Sequence, residues 1–277
     1  MINQIKTVLL LGTLSGLLLV IGYFVGGMNG LGIMFGISIL FNLFTYLYSH
    51  KIVLMMYRAK EISKKDNPWL HGTIESICKE AKLPKPKIYI VPTETPNAFA
   101  TGPSPKKAAV AVTNGILRLL SKNELKGVLA HEIAHVKNRD TLITTIAAMI
   151  GSAISFAAFM LRMMAVGQDR GRGSPIALLL LGILAPIAAM IIQLAISRAR
   201  EYIADESGAR FIKDPLSLAN ALVRIEKGVY SQPLNFGNPA TSSLFIIQPF
   251  RGQALLSLFS THPSTVERVK RLKALKI

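Results

Sequence analysis

The chain has 277 residues, 51% of them hydrophobic and only 17% charged, where a soluble domain carries about 25%. This deficit points to a surface that faces lipid in part, the alternative being a soluble protein with very apolar core helices. The formal net charge of +17 raises nucleic acid as a partner, but no basic motif is interleaved with aromatic residues, and Cys78, the sole cysteine, excludes an intrachain disulfide.

From Thr7 to Ser49 there is no Asp, Glu, Lys or Arg. Such a run is too long for one span of about 20 residues. Gly26, Gly27, Asn29 and Gly30 interrupt it, so a hairpin of two helices is expected, from about Thr7 to Val25 and from about Leu31 to Tyr48. A cleaved signal peptide fits less well, because a second apolar run follows at once and no small-residue cleavage site ends the first. From Lys51 to about Ala81 the spacing predicts a helix, broken by Leu83-Pro-Lys-Pro86. Ile88 to Val91 reads as a strand. Asn97 to Gly102 and Ala108 to Val112 read as two more, with a Pro103/Pro105 loop between them and Asn114-Gly115 closing a small sheet.

Ser121 followed by Glu124 is a capping box that opens the next helix, through Leu125, Val128 and Leu129 to His135. No helix breaker separates it from a second uncharged stretch, Thr141 to Leu161, so the helix can run straight into a membrane. A third stretch, Gly173 to Ser197, leads into Arg198 to Asp205, and Pro215 to Ile277 reads as mostly helical with a loop from Ser231 to Ser243. Both later stretches are long enough to cross about 30 Å of hydrocarbon. Of the 32 Lys and Arg, 16 lie in 51–139 and 12 in 198–276. Four spans place those segments on one side, the cytoplasm by the positive-inside rule, with both termini inside. Arg162, Arg170 and Arg172 fall on the far side, against that rule. A basic face against anionic headgroups accounts for the charge without nucleic acid.

The chemistry is concentrated in His131-Glu132-Ile133-Ala134-His135. Residues i and i+4 project from one helical face, so two imidazoles can reach one tetrahedral Zn²⁺, while Glu132 is offset toward a metal-bound water as general base. A catalytic zinc needs a third protein ligand and an open position. Glu201 is the candidate, with Asp205 one turn on, placed to accept a hydrogen bond from a ligand imidazole. Two antiparallel spans would return Glu201 to the surface that holds His135. The alternative for Glu201 is an ion pair with Arg198 or Arg200.

The segments NAFATG (97–102), HEIAHVKNRD (131–140), SRAREYIADESGA (197–209) and THPSTVERV (261–269) resemble those of the HtpX-type membrane zinc metalloproteases, gluzincins that share a family with the type I CAAX prenyl endopeptidases. The resemblance covers the whole chain. It implies a mainly α integral membrane protein with four transmembrane helices and a cytosolic zincin-like α+β catalytic domain carrying a small β-sheet. The layout is a hairpin at 1–50, catalytic segments at 51–140 and 197–277, and a second hairpin at 141–196. It further implies one Zn²⁺ per chain on His131, His135 and Glu201, and cleavage of misfolded or damaged membrane proteins from the cytosolic face of the cell membrane. Asn97, Ala98 and Phe99 match the edge strand that binds substrate, and His262 and Arg268 match donors to the developing oxyanion. The expected partners are polypeptide substrates and the bilayer, and no nucleic acid. The alternatives are a prenyl-protein endopeptidase, for which four spans enclose too little space, a zinc transporter, which would carry His or acidic residues inside its spans, and a non-catalytic membrane zinc protein.

Overall fold

The computed structural model describes residues 2–151, 198–231, 244–247 and 263–277. Residues 152–161 of the second apolar stretch, the whole third stretch, the 231–243 loop beyond its first residue and His262 lie outside the described residues.

The chain opens with α1, Ile2–Met56, which breaks at Gly26 and Gly27. Gly27 has φ +58°, a left-handed conformation that glycine adopts without cost, and the turn expected at this position is present. The two arms fold back on each other: Asn42 Nδ2 donates to Ser15 Oγ at 2.8 Å across 27 residues, and Gly22 and Gly30 touch backbone to backbone. Gly26–Met56, 31 residues, is apolar and long enough to cross a membrane, and the first arm carries a shorter apolar helix, Thr7–Val20.

The single helix expected over Lys51 to Ala81 is instead three pieces. After α1 come a short strand β1 (Lys60–Glu61) and then α2 (Pro68–Ala81). Asn67 caps α2 by accepting the Leu70 N–H at 3.0 Å, and Pro68 opens it, where a missing N–H costs nothing. Three more strands follow, β2 (Lys87–Val91), β3 (Ala98–Thr101) and β4 (Ala109–Thr113), in the sheet order β1-β2-β4-β3. β2 runs parallel to β4, and β3 antiparallel to it with Ala98 opposite Val112. β3 is therefore an edge strand. Asn114-Gly115 is not a closing turn but the start of α3 (Asn114–Leu119), because Thr113 Oγ1 accepts the Ile116 N–H at 3.1 Å.

The capping box forms as expected. Ser121 and Glu124 exchange hydrogen bonds, and α4 (Lys122–Asn138) begins. It does not continue unbroken. Arg139 is left-handed at φ 58°, an uncommon state for a residue with a side chain, and a new helix α5 starts there, Asp140–Gly151. After residue 197 lie α6 (Arg198–Ile212), α7 (Pro215–Ser231) and α8 (Thr265–Ala274).

Strand alternation divides the apolar packing into two layers. Val110 and Val112 face a core with Leu70, Ile74, Val128, Leu129, Ile133 and Leu222. Ala109, Ala111 and Phe99 face another, where Val53, Leu54 and Tyr57 bring the end of α1 against the sheet. Each fully buried large apolar side chain contributes about 1.5–3 kcal/mol, and together they hold α4 under the sheet with the edge strand beside it.

Candidate active site

The site is set by how closely α4 and α6 approach. An ideal Cβ on Gly208 would stand 2.8 Å from the His131 nitrogen and 2.9 Å from the Ala130 carbonyl carbon. Only glycine permits that backbone contact. Glu201, Asp205 and Gly208 are spaced i, i+4, i+7, so the contact that needs glycine turns both carboxylates toward α4.

The two imidazoles are held in matching ways. His131 Nδ1 lies 2.9 Å from Asp205 Oδ1, and His135 Nδ1 lies 3.0 Å from Asp140 Oδ2. A carboxylate only accepts, so each Nδ1 carries a proton, and in the neutral ring this leaves the lone pair on Nε2. The Nε2 atoms stand 3.1 Å apart, and Glu201 faces both: Oε2 is 3.6 Å from His131 Nε2, and Oε1 is 3.5 Å from His135 Nε2. The potential ligand atoms of the three residues all fall within 4.8 Å of one another. Two ring nitrogens at this distance, opposite a buried carboxylate, can be held together by a shared proton or by a metal ion. Ligands on a tetrahedral Zn²⁺ at ~2.05 Å would stand about 3.3 Å apart, so the donor set fits such an ion with little movement.

The titration behaviour follows from the same crowding. Burial alone would hold His135 neutral, but the carboxylates of Glu201, Asp140 and Glu132 outweigh it and push its pKa up to about 9. His131 goes the other way, lowered by burial despite its bond to Asp205, with His135 and Arg268 also opposing its charge. Glu132 is 5% exposed, and burial together with the charge of Glu201 raises it to about 8 against the pull of His135, Arg268 and a hydrogen bond from the Ala100 backbone. A carboxyl shifted this far toward neutrality is suited to taking and returning a proton near pH 7.

Arg268 is 1% exposed. Its Nε and Nη2 grip Asp205 at 2.8 and 2.7 Å, and Nη1 donates to the Ile246 carbonyl at 3.1 Å. The guanidinium thus braces Asp205 beside His131, and its Nη1 also stands 3.6 Å from Glu201 Oε2, so Arg268, the expected donor to an oxyanion, lies next to the three candidate ligands. Asn97 is also enclosed, at 1% exposure, and its Oδ1 accepts the Ile246 N–H at 3.2 Å. Its Oδ1 thus binds the protein's own backbone, while Nδ2 is buried with no hydrogen-bond partner among the described residues. Ala98 points into the first core, and the Phe99 ring packs between Tyr57 and Phe245 at centroid distances of 5.7 and 6.2 Å. What these two residues offer at the edge is main chain. Ala100, His131, Glu132, His135, Glu201 and Phe245 line a cleft of about 30 Å³.

Sequence reasoning did not single out Asp140 or Gly208, and it named Arg200 only as an alternative ion-pair partner of Glu201. Asp140 follows His135 by five residues, a spacing that points away from it on a continuous helix, and only the reversal at Arg139 brings it back. Gly208, by contrast, was readable from its spacing to Glu201 and Asp205.

An HExxH helix beside an edge strand, with a third carboxylate from a second helix, defines a metalloprotease. The chain belongs to peptidase family M48, whose profile matches residues 64–276. It is 52% identical to a protein named protease HtpX homolog from Pyrococcus furiosus over 97% of this chain and 94% of that one. It is equally similar to the Persephonella marina protein of the same name, at 52% over 98% and 96%. Among solved structures, S. mikatae Ste24p shares the fold, with a TM-score of 0.54 at 17% identity over 98% of this chain and 65% of that chain. The chain is a membrane metalloendopeptidase of the HtpX type.

Proposed function

We propose that this chain is a zinc-dependent endopeptidase that hydrolyses peptide bonds of misfolded or damaged membrane proteins at the cytosolic face of the cell membrane. The observation that carries this reading is the convergence of His131 Nε2, His135 Nε2 and Glu201, all within 4.8 Å, with the Glu132 carboxyl in the same cleft. His131, His135 and Glu201 would hold Zn²⁺, which supplies Lewis acidity for polarising a carbonyl and acidifying water. Glu132 takes the proton of the attacking water and returns it to the leaving amine. Asp205, gripped by Arg268, keeps His131 in the tautomer that offers Nε2. His262, by its place in the THPSTVERV segment, is assigned to the oxyanion.

An extended polypeptide would add to the outer edge of β3, since main-chain pairing orients one carbonyl while accepting many sequences. The four-span layout, with hairpins at 1–50 and 141–196 and catalytic segments at 51–140 and 197–277, belongs to the same proposal. The distribution of Lys and Arg supports a cytosolic site, and an apolar α1 beside the catalytic domain supports substrates presented at the bilayer. The kinship with proteins named HtpX homologs, at about half identity, favours this reading over a prenyl-protein endopeptidase.

Replacing Glu132 with Gln tests it. Purified Glu132→Gln chain should retain bound zinc while cleavage of a model membrane protein falls by about 10²–10⁴. Unchanged cleavage would remove Glu132 as the base.

A further inference from the structure

The Asp205 support of His131 has a counterpart on the other imidazole. Asp140 is 2% exposed, and its Oδ2 lies 3.0 Å from His135 Nδ1. Behind it stands Arg200, with Nη1 3.9 Å from Asp140 Oδ1. Among the described residues, neither terminal nitrogen of Arg200, both buried, has a hydrogen-bond partner, and the side chain is 12% exposed. Its charge is therefore answered by Asp140 and the neighbouring Glu201. Each of the two imidazoles is thus backed by an aspartate, and each aspartate by an arginine. The two pairs differ in tightness: Arg268 grips Asp205 through two bonds of 2.7 and 2.8 Å, whereas Arg200 stands 3.9 Å from Asp140.

We propose that Asp140 is the positioning residue of His135, fixing the ring with Nδ1 protonated and Nε2 turned to the metal, and that Arg200 keeps the Asp140 carboxylate in place from the helix that also carries Glu201. Asp140 follows the left-handed Arg139 that ends α4, and that reversal swings it back over the last turn, where its Oδ2 meets His135 Nδ1. A neutral imidazole whose Nδ1–H has no acceptor can rotate or change tautomer, and either motion withdraws a metal ligand. Because Arg200 and Glu201 are consecutive, a shift of α6 moves the third ligand and the support of the second together.

This inference rests on the metal-site reading above, so the test measures metal binding and not turnover. The full-length chain, in detergent and stripped of metal, is titrated with Zn²⁺ against a chromophoric chelator, and its Co²⁺ form is examined in the visible. Asp140→Ala should raise the zinc dissociation constant by about 10–100-fold, the usual consequence of losing a residue that orients a ligand, and should shift the Co²⁺ ligand-field bands. Wild-type affinity in Asp140→Ala overturns the proposal, as does weakened affinity with unshifted bands, which would assign Asp140 to folding alone. If Asp140→Ala does not fold, the near-isosteric Asp140→Asn decides: an affinity at least threefold weaker with shifted bands supports the assignment, and anything closer to wild type overturns it. A wild-type chain that binds no zinc would sink the metal site itself and this inference with it. Unaltered binding in the variants sinks this inference alone.

Discussion

The N-terminal hairpin and the catalytic domain bury opposite kinds of side chain. In α1 the large apolar residues point outward, with Val8 70% and Leu40 67% exposed, while Ser38, Thr45 and Ser49 are at most 2% exposed. In the catalytic domain Leu70, Ile74, Leu129 and Ile133 are at most 0% exposed, and the buried charges Asp205 and Arg268 are tied to each other. One region is built for a solvent of hydrocarbon and the other for water. A domain in water must pair every charge that it buries, whereas a helix in lipid satisfies its backbone internally and gains by showing apolar side chains outward.

Three substitutions probe this contrast, beginning with the one of largest effect. Arg268→Ala strands the Asp205 carboxylate in the interior, and removing one partner of a buried ion pair costs about 3–5 kcal/mol. Chemical denaturation of the catalytic domain should show that loss together with weaker zinc binding, since His131 loses its oriented acceptor. A change under 1 kcal/mol would mean that water reaches Asp205. Leu40→Lys separates the two solvents most directly. In water an exposed position tolerates such a change within about 0.5 kcal/mol, but at a lipid-facing position it costs about 2.5–3.5 kcal/mol. Membrane-insertion efficiency of the hairpin should fall accordingly, and unaltered insertion would return α1 to the surface of a soluble protein.

The smallest effect lies at Asp214, which precedes α7 and accepts the Leu216 and Ser217 N–H groups, each at 3.1 Å, and the Ser217 hydroxyl. Asp214→Ala should cost about 1 kcal/mol, as the loss of a helix cap does. Burial tends to raise the Asp214 pKa, but the bonds from Ser217 and Leu216 outweigh it and leave it below the ordinary aspartate range. Its contribution is therefore complete above that range and disappears as the pH falls through the depressed value. Thermal unfolding followed from pH 7 down to pH 2 should bring the wild type and Asp214→Ala together only at the acid end.

Much of this could be read before any coordinates. The break at Gly26 and Gly27, the box formed by Ser121 and Glu124, and the pairing of His131 with His135 each depend on residues within one turn of helix or one tight bend, where spacing alone fixes who meets whom. Glu201 and Asp205 were legible as candidates for the same reason, sharing one face of α6. The split of 51–81 into three pieces was signalled by Asn67-Pro68, and the helical spacing on either side concealed it.

Other relations are invisible to spacing. Arg268 meets Asp205 across 63 residues, Asn97 meets Ile246 across 149, and neither distance carries a period. Asp140 is close in sequence to His135, yet it reaches the ring only because Arg139 takes a left-handed conformation that its side chain disfavours. The sequence by itself determined which side chains could bind a metal and which helices would present them. Tertiary packing decided which carboxylate supports which imidazole, and that Arg268 and Asn97 face inward, because those choices depend on how α4, α6, α8 and the sheet edge fill one common interior.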